Sequence, residues 1–351
     1  MSKERIQDNL PKLYSKFYPE LFEKEIPSES LSTCSNCTML CKGDRYNKHL
    51  LTKSFSPNSK CCTFQPRLPN YLIGALLSDK TSNFVEGQNR VKKRILNKIS
   101  VSPLGVYSSK KFDLLYEQSK SLSFGLNSTL ICPYYEKESG NCTIWMYRET
   151  VCSTYFCKSV SGQSGYKFWE SLKNLLFKIQ INLSSYVIKV MELEFPLKYT
   201  GLSPEDVDDL PMSEENYKKM WKNWAGNEIE FYKKSFEIVN SLSKEDFETI
   251  TEISQSDLFK ELLINYEQMV VIPKLLKINP ELKLEKTMNR GYKIHLKLID
   301  LSFELPEKVI HAFDGNVSYT SIITYLFENE KIEIDDALIR TLYSYRILVP
   351  A

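Results

Sequence analysis

GYKFWESLKNLLFKIQINLSSYVIKVMELE, residues 165–194, is the stretch from which the fold class follows. Phe168, Leu172, Leu175, Leu176, Ile179, Leu183, Tyr186, Val187 and Val190 recur at steps of three and four, the period of a helix with one apolar face. Pro196 stands just beyond and stops it. A helix of this length needs partners for its apolar face, and the flanking sequence supplies them. On the C-terminal side Ser213 opens a helical run, Glu214 to Asn240, that carries Tyr217, Trp221, Trp224, Ile229, Phe231 and Tyr232. Asp257–Ile278 reads as another, broken near Pro273. On the N-terminal side residues 110–120, Ser82–Ser100 and the apolar NYLIGALLSD after Pro69 are each helical. Residues 1–30 are a helical lead-in. The chain is therefore expected to be mainly α.

Three expected regions differ in style. Residues 1–164 hold all the cysteines, 165–285 are helical, and 286–351 turn to mixed α/β character. In the last, Tyr292–Glu304 alternates like a strand or hairpin. Pro306–Phe313 forms a short helix stopped by Asp314-Gly315, and Ser318 caps a helix running to Glu328. Asp335–Tyr345 and the strand Ile347–Val349 complete a small winged-helix-like module, or else a helical tail with a β-edge. Within the helical region an acidic, proline-bearing linker, residues 200–212, precedes the run that Ser213 opens.

Composition narrows the function classes. Lys and Arg number 46 against 44 Asp and Glu, so bulk nucleic-acid binding is not expected. No stretch approaches the ~20 apolar residues of a membrane helix. The N-terminus, MSKERIQDNLPKLYSKFYPELF, has no apolar leader core, which makes the cytoplasm the expected location. Only 12 glycines occur, and neither GxGxxG nor GxxxxGK[ST] is found.

Cysteine usage is the informative feature. Cys34, Cys37, Cys41, Cys61, Cys62, Cys132, Cys142, Cys152 and Cys157 are all nine, and nothing after residue 157 adds to them. They lie in two polar, loop-like segments, Ser32–Pro69 and Leu126–Ser161. In a reducing compartment such a cluster is metal-binding or redox-active rather than a disulfide framework. Cys34-x2-Cys37-x3-Cys41 is a local cradle; Cys61-Cys62 is a vicinal pair whose members serve different roles, because neighbours rarely ligate one small ion together. Zinc takes four N/S ligands, and iron–sulfur clusters take four thiolates, so nine cysteines fill two sites with one left over. Cys34, Cys37, one of Cys61 and Cys62, and members of the set Cys132, Cys142, Cys152 and Cys157 are expected to come together in space.

The set Cys34-x2-Cys37, Cys61-Cys62, Cys132-x-Tyr-Tyr, Gly140-x-Cys142-x-Ile144, Arg148 and Cys152-x4-Cys157 resembles the YkgJ-type cysteine-cluster family over roughly residues 30–160. The resemblance implies a zinc- or iron-chelating unit, and chelation rather than a reaction. Here Cys41 and an insertion precede Cys61-Cys62, and Thr150-Val151 replaces the proline the family carries after its arginine. A looser similarity to the cysteine-rich region of flagellin lysine methylases implies a peptide-modifying role.

Other residues carry less. Of the three histidines, His49 falls in the cysteine-rich segment, and with nine thiolates present it reads as a solvated loop residue; His295 and His311 read as surface or packing residues. No Cys–His hydrolase pattern is present. Arg148 would offset thiolate charge, and Tyr134, Tyr135, Trp145, Tyr155 and Phe156 would shield a centre from water. The run Arg90–Arg94 reads as a solvated helix face. FELPEKVIHAFDGNVSYTSIITYLF resembles winged-helix regulators and PqqD-like peptide-recognition domains, which implies a protein or peptide partner. The expected function is thus a thiolate metal-binding protein holding an iron–sulfur cluster or zinc, redox-active or peptide-modifying. The alternatives are a structural-zinc scaffold and a metal-responsive regulator acting through the C-terminal module.

Overall fold

The structure, a computed structural model, describes residues 5–26, 40, 55–119, 123–154, 162–193, 210–270, 272–287, 291–296 and 301–351. Its helices are α1 Leu13–Phe17, α2 Pro19–Phe22, α3 Asn70–Ser78, α4 Val85–Leu96, α5 Lys110–Gln118, α6 Thr150–Thr154 and α7 Gly162–Val190. After these come α8 Glu214–Trp221, α9 Glu228–Ser241, α10 Lys244–Thr251, α11 Asp257–Val270, α12 Glu307–Ala312, α13 Tyr319–Glu330 and α14 Asp336–Ser344. Mainly α is the observed class.

Helix α7 is the spine. Phe168, Leu172, Leu175, Leu176, Ile179, Leu183 and Val187 are fully buried, as the periodicity predicts, while Val190 at the end of the same stripe is exposed. Each such side chain contributes ~1.5–3 kcal/mol on leaving water. They meet Ile6, Leu10, Tyr14 and Phe17 of the lead-in, Leu72 of α3, Phe247 of α10 and Leu262 of α11. Helix α10 is held by a capping box, the Ser243 hydroxyl accepting from the Asp246 amide and the Asp246 carboxylate from the Ser243 amide.

A second core gathers Ile73 and Leu76 of α3, Val91 and Ile95 of α4, Cys132, Tyr134 and Ile144, with Ile188 of α7, Trp221 of α8 and Phe231 and Tyr232 of α9. Helix α3 is buried all round, which is why its sequence is apolar all round. Only glycine fits at its residue 74, where a Cβ would lie 1.8 Å from the Tyr232 carbonyl oxygen of α9. Asn70 at its start, also buried, donates to the carbonyls of Pro103 and Ser184 at 3.0 and 3.3 Å. Neither of these two cores stops at the expected boundary of residues 164 and 165. The described part of the cysteine region and the helical middle share both cores.

The helical run expected over Glu214–Asn240 is divided. Lys222 and Gly226 take positive φ of 48° and 90°, ending α8 and turning the chain before α9. The run expected over Asp257–Ile278 ends at Val270, and beyond Pro273 the chain is strand β6, Leu275–Ile278. The short strands before it are β1 Leu68–Pro69, β2 Val101–Ser102, β3 Gly105–Val106, β4 Tyr135–Glu136 and β5 Asn141–Cys142; after it come β7 Leu284–Lys286, β8 Gly291–Leu296, β9 Leu301–Pro306, β10 Asp314–Ser318 and β11 Leu348–Pro350.

The C-terminal unit begins with β6. Two antiparallel sheets, β10-β6-β11 and β7-β8-β9, share a third core with α12–α14. In β8 and β9 Ile294 faces Phe303 and Tyr292 faces Leu305, so the predicted alternation puts one face inward. Ser318 caps α13 as expected, its hydroxyl accepting from the Ser321 amide. Helix α14 also packs on α7.

Candidate metal centre

Five of the nine candidate cysteines fall on described residues: Cys61, Cys62, Cys132, Cys142 and Cys152. Cys34, Cys37, Cys41 and Cys157 lie outside them, as do His49, Tyr155 and Phe156.

The segment Phe55–Phe64 is built of successive turns. Lys60 N–H donates to the Ser56 carbonyl at 2.8 Å and Cys62 N–H to that of Ser59 at 3.0 Å, with Lys60 itself at a positive φ of 50°. This aims the Cys62 carbonyl at the second cysteine segment, where Cys132 N–H donates to it at 2.7 Å. Cys132 leads into the β4–β5 hairpin, in which Tyr135 faces Cys142. The hairpin turns on Gly140, at φ +66°, as the EKESGN sequence predicts. The Lys60 ammonium reaches across to the Gly140 carbonyl at 2.5 Å, a second tie between the segments. Cys62, Cys132 and Cys142 pack in the same core.

Cys152 sits on α6. The orphan amides that open this helix are taken by the Glu149 carboxylate, which accepts from Val151 N–H at 2.9 Å and Cys152 N–H at 3.3 Å. Glu149 is buried, and burial pushes its carboxyl up to about 7 despite those amides.

The basic run on α4 departs from its expected solvated face. Arg90 clamps the hairpin, donating from Nη1 to the carbonyls of Pro133 and Tyr135 at 3.1 and 2.7 Å and from Nη2 to Glu136 at 2.9 Å. Arg94 is buried and donates to the Tyr107 carbonyl. Lys93 remains exposed.

The thiols are electrostatically coupled. A hydrogen bond from the Cys62 thiol, with the Arg148 and Lys60 charges nearby, brings Cys61 down to about 7. The same bond, enclosure, and the charges of Cys61, Cys132 and Cys142 hold Cys62 protonated. Burial and then Cys142 push Cys132 up to about 12. Cys152 is raised by burial, Glu149, and then Cys132, Cys61 and Cys142. Thus charge on Cys61, Cys132 and Cys142 opposes the ionisation of both Cys62 and Cys152, across the two segments. No disulfide joins them, and among the described residues no group of three or more His, Cys, Asp or Glu is arranged to hold a metal ion.

Compared with models of protein families, with characterised proteins and with solved structures, the chain matches none.

Arg148 is buried, its Nε donating to the Trp145 carbonyl at 2.7 Å and its guanidinium stacking 3.4 Å from the Trp145 ring centroid. Tyr134 and Tyr135 are buried beside the thiols. His295 and His311 are exposed on the C-terminal unit, His295 Nδ1 hydrogen-bonded to the Ser302 hydroxyl at 2.9 Å. Sequence reading missed Lys60, Arg94 and Glu149. Two of them had a signal: Lys60 adjoins Cys61, and Glu149 stands three residues before Cys152, a capping distance.

Proposed function

We propose that this chain is a thiolate metal-binding protein whose centre is assembled from both cysteine segments and holds zinc or an iron–sulfur cluster. One observation carries the reading: the 2.7 Å bond from Cys132 N–H to the Cys62 carbonyl, which brings cysteines 70 residues apart into one electrostatic group. Crowded thiols oppose one another's ionisation, and a bound cation removes that opposition by taking them as thiolates. The resemblance of the cysteine pattern to the YkgJ-type family supports the same reading. The described cysteines alone do not form a donor set, so the proposal requires ligands from Cys34, Cys37, Cys41 or Cys157. The test is anaerobic purification with metal analysis. Brown protein with iron and acid-labile sulfide means a cluster; colourless protein with stoichiometric zinc means a zinc centre, structural if Cys132→Ser with Cys152→Ser loses stability and nothing else. Metal-free protein with an unchanged melting temperature after metal addition refutes the proposal.

A second reading concerns the C-terminal unit. Strand β9 has no partner beyond β8 among the described residues, and such an edge accepts an extended peptide as a further strand. Peptides selected on the full chain should slow amide exchange across Leu301–Pro306. Binders that leave that strand unprotected remove this reading.

A further inference from the structure

Strands β7, β8 and β9 carry their charges in a row. The register sets Glu285 of β7 opposite Lys293 of β8, and Lys293 opposite Glu304 of β9. All three are exposed. The flanking rows point to the other face: Leu284, Ile294 and Phe303 on one side, Lys286, Tyr292 and Leu305 on the other. Ile294, Phe303 and Leu305 are buried in the core of the C-terminal unit. The outer face thus alternates in sign from strand to strand, and the inner face is apolar where β9 ends the sheet. Of the two edges β9 is the longer, six residues against three for β7.

Pro306 fixes which way the backbone of β9 points. It lies opposite Gly291, and a proline has no N–H to give, so this is a non-hydrogen-bonded pair. Pairs in an antiparallel ladder alternate, which makes Glu304 opposite Lys293 and Ser302 opposite His295 non-hydrogen-bonded too. The amides and carbonyls of Ser302 and Glu304 therefore point away from β8, toward the open side of β9. A strand laid there takes up those groups, and its residue opposite Glu304 stands beside that carboxylate on the outer face. Opposite charges in this relation attract and like charges repel. The residues before and after it turn to the inner face, beside Phe303 and Leu305. A charge and a proline on an edge also discourage indiscriminate pairing, so the carboxylate that guards β9 selects what the strand admits.

Resting on the edge-strand reading of the C-terminal unit, we infer that the partner of β9 is an extended peptide in which a lysine or arginine stands between two apolar residues, the base beside Glu304 and the apolar pair beside Phe303 and Leu305. The experiment uses the full chain and labelled peptides of alternating valine and serine, identical except that one central serine is replaced by Lys, Gln or Glu. Fluorescence anisotropy gives the affinities, and amide exchange across Leu301–Pro306 gives the place of binding. The Lys peptide should bind roughly 3–10-fold more tightly than the Glu peptide, with the Gln peptide between them. Glu304→Lys should reverse that order and Glu304→Gln should level it; the side chain is exposed, and far-UV signal and melting temperature check that both variants fold. Equal affinities with the strand protected overturn the charge selection and leave the edge reading standing. So does a preference for the Lys peptide that neither variant moves. If no peptide binds, or if all bind without protecting the strand, both fall.

Discussion

Substituting Glu149 by Gln should make the protein more stable at alkaline pH and leave it unchanged at acid pH. The carboxyl is 4% exposed and is raised from 4.5 to about 7, burial outweighing the Val151 and Cys152 amides that favour its charged form. At ~1.4 kcal/mol per tenfold change in proton affinity, that displacement corresponds to about 3 kcal/mol. Between pH 4.5 and about 7 the folded chain keeps a proton that the unfolded chain has released, so stability falls as pH rises across the window and levels off above it. Glutamine mimics the protonated acid, with one carbonyl acceptor and no charge to bury. Urea unfolding of chelator-treated wild type and Glu149→Gln should therefore coincide near pH 4 and separate by up to about 3 kcal/mol near pH 8. Adding metal should narrow the gap, because a cation near Cys152 stabilises the carboxylate. Parallel stability–pH curves for the two proteins, in the metal-free state, would refute the assignment of a buried, proton-holding carboxyl at this position.

Gly74→Ala should force α3 from α9, because its Cβ would meet the Tyr232 carbonyl at 1.8 Å; a loss of ~1–3 kcal/mol or more is expected in urea unfolding. Arg90→Ala should speed amide exchange across Tyr135–Cys142 and cost about 1.5–3 kcal/mol, since its bonds to the Pro133 and Tyr135 carbonyls are charge-assisted. Lys93→Ala, on the exposed side of the same helix, should change stability by less than ~0.5 kcal/mol. Chelation should raise exchange in residues 55–64 and 132–154 while Phe168–Val187 keeps its protection, because that face of α7 is buried against apolar side chains that need no metal. Loss of protection along α7 as well would show that the two cores unfold together.

Periodicity made α7 legible because Phe168, Leu172, Leu175, Leu176, Ile179, Leu183 and Val187, all fully buried, fall on one stripe. Local chemistry did as much for the Gly140 hairpin and the Ser318 cap, where a turn residue or a hydroxyl acts within three residues of its target. The division between α8 and α9 was not readable, since Lys222 at positive φ is held there by its surroundings and not by its type. Leu275–Ile278 is four residues long, too short for period to tell strand from helix, and its pairing with β10 and β11 is remote in sequence. The segregation of the cysteines marked two segments, and the structure joins them where Cys132 N–H donates to the Cys62 carbonyl. Which cations stand beside them did not follow, because Arg90, Lys92, Lys93 and Arg94 are alike on paper and only the docking of Val91 and Ile95 decides which of them is drawn inward. The shared cores were hidden for the same reason: a boundary drawn from composition cannot see that Ile188 and Cys132 will lie in one cluster.

The position of β6 in its sheet sets a timetable for synthesis. Leu276 and Ile278 pair with Pro350 and Leu348, so one edge of the strand waits about 70 residues for its neighbour. At ~5–20 residues per second that is roughly 4–14 s on the ribosome. During that interval the strand offers unpaired amides and carbonyls to any other extended chain nearby. Conditions that lengthen the interval, such as slow codons between residues 278 and 348, should increase the insoluble fraction without changing the finished fold at all.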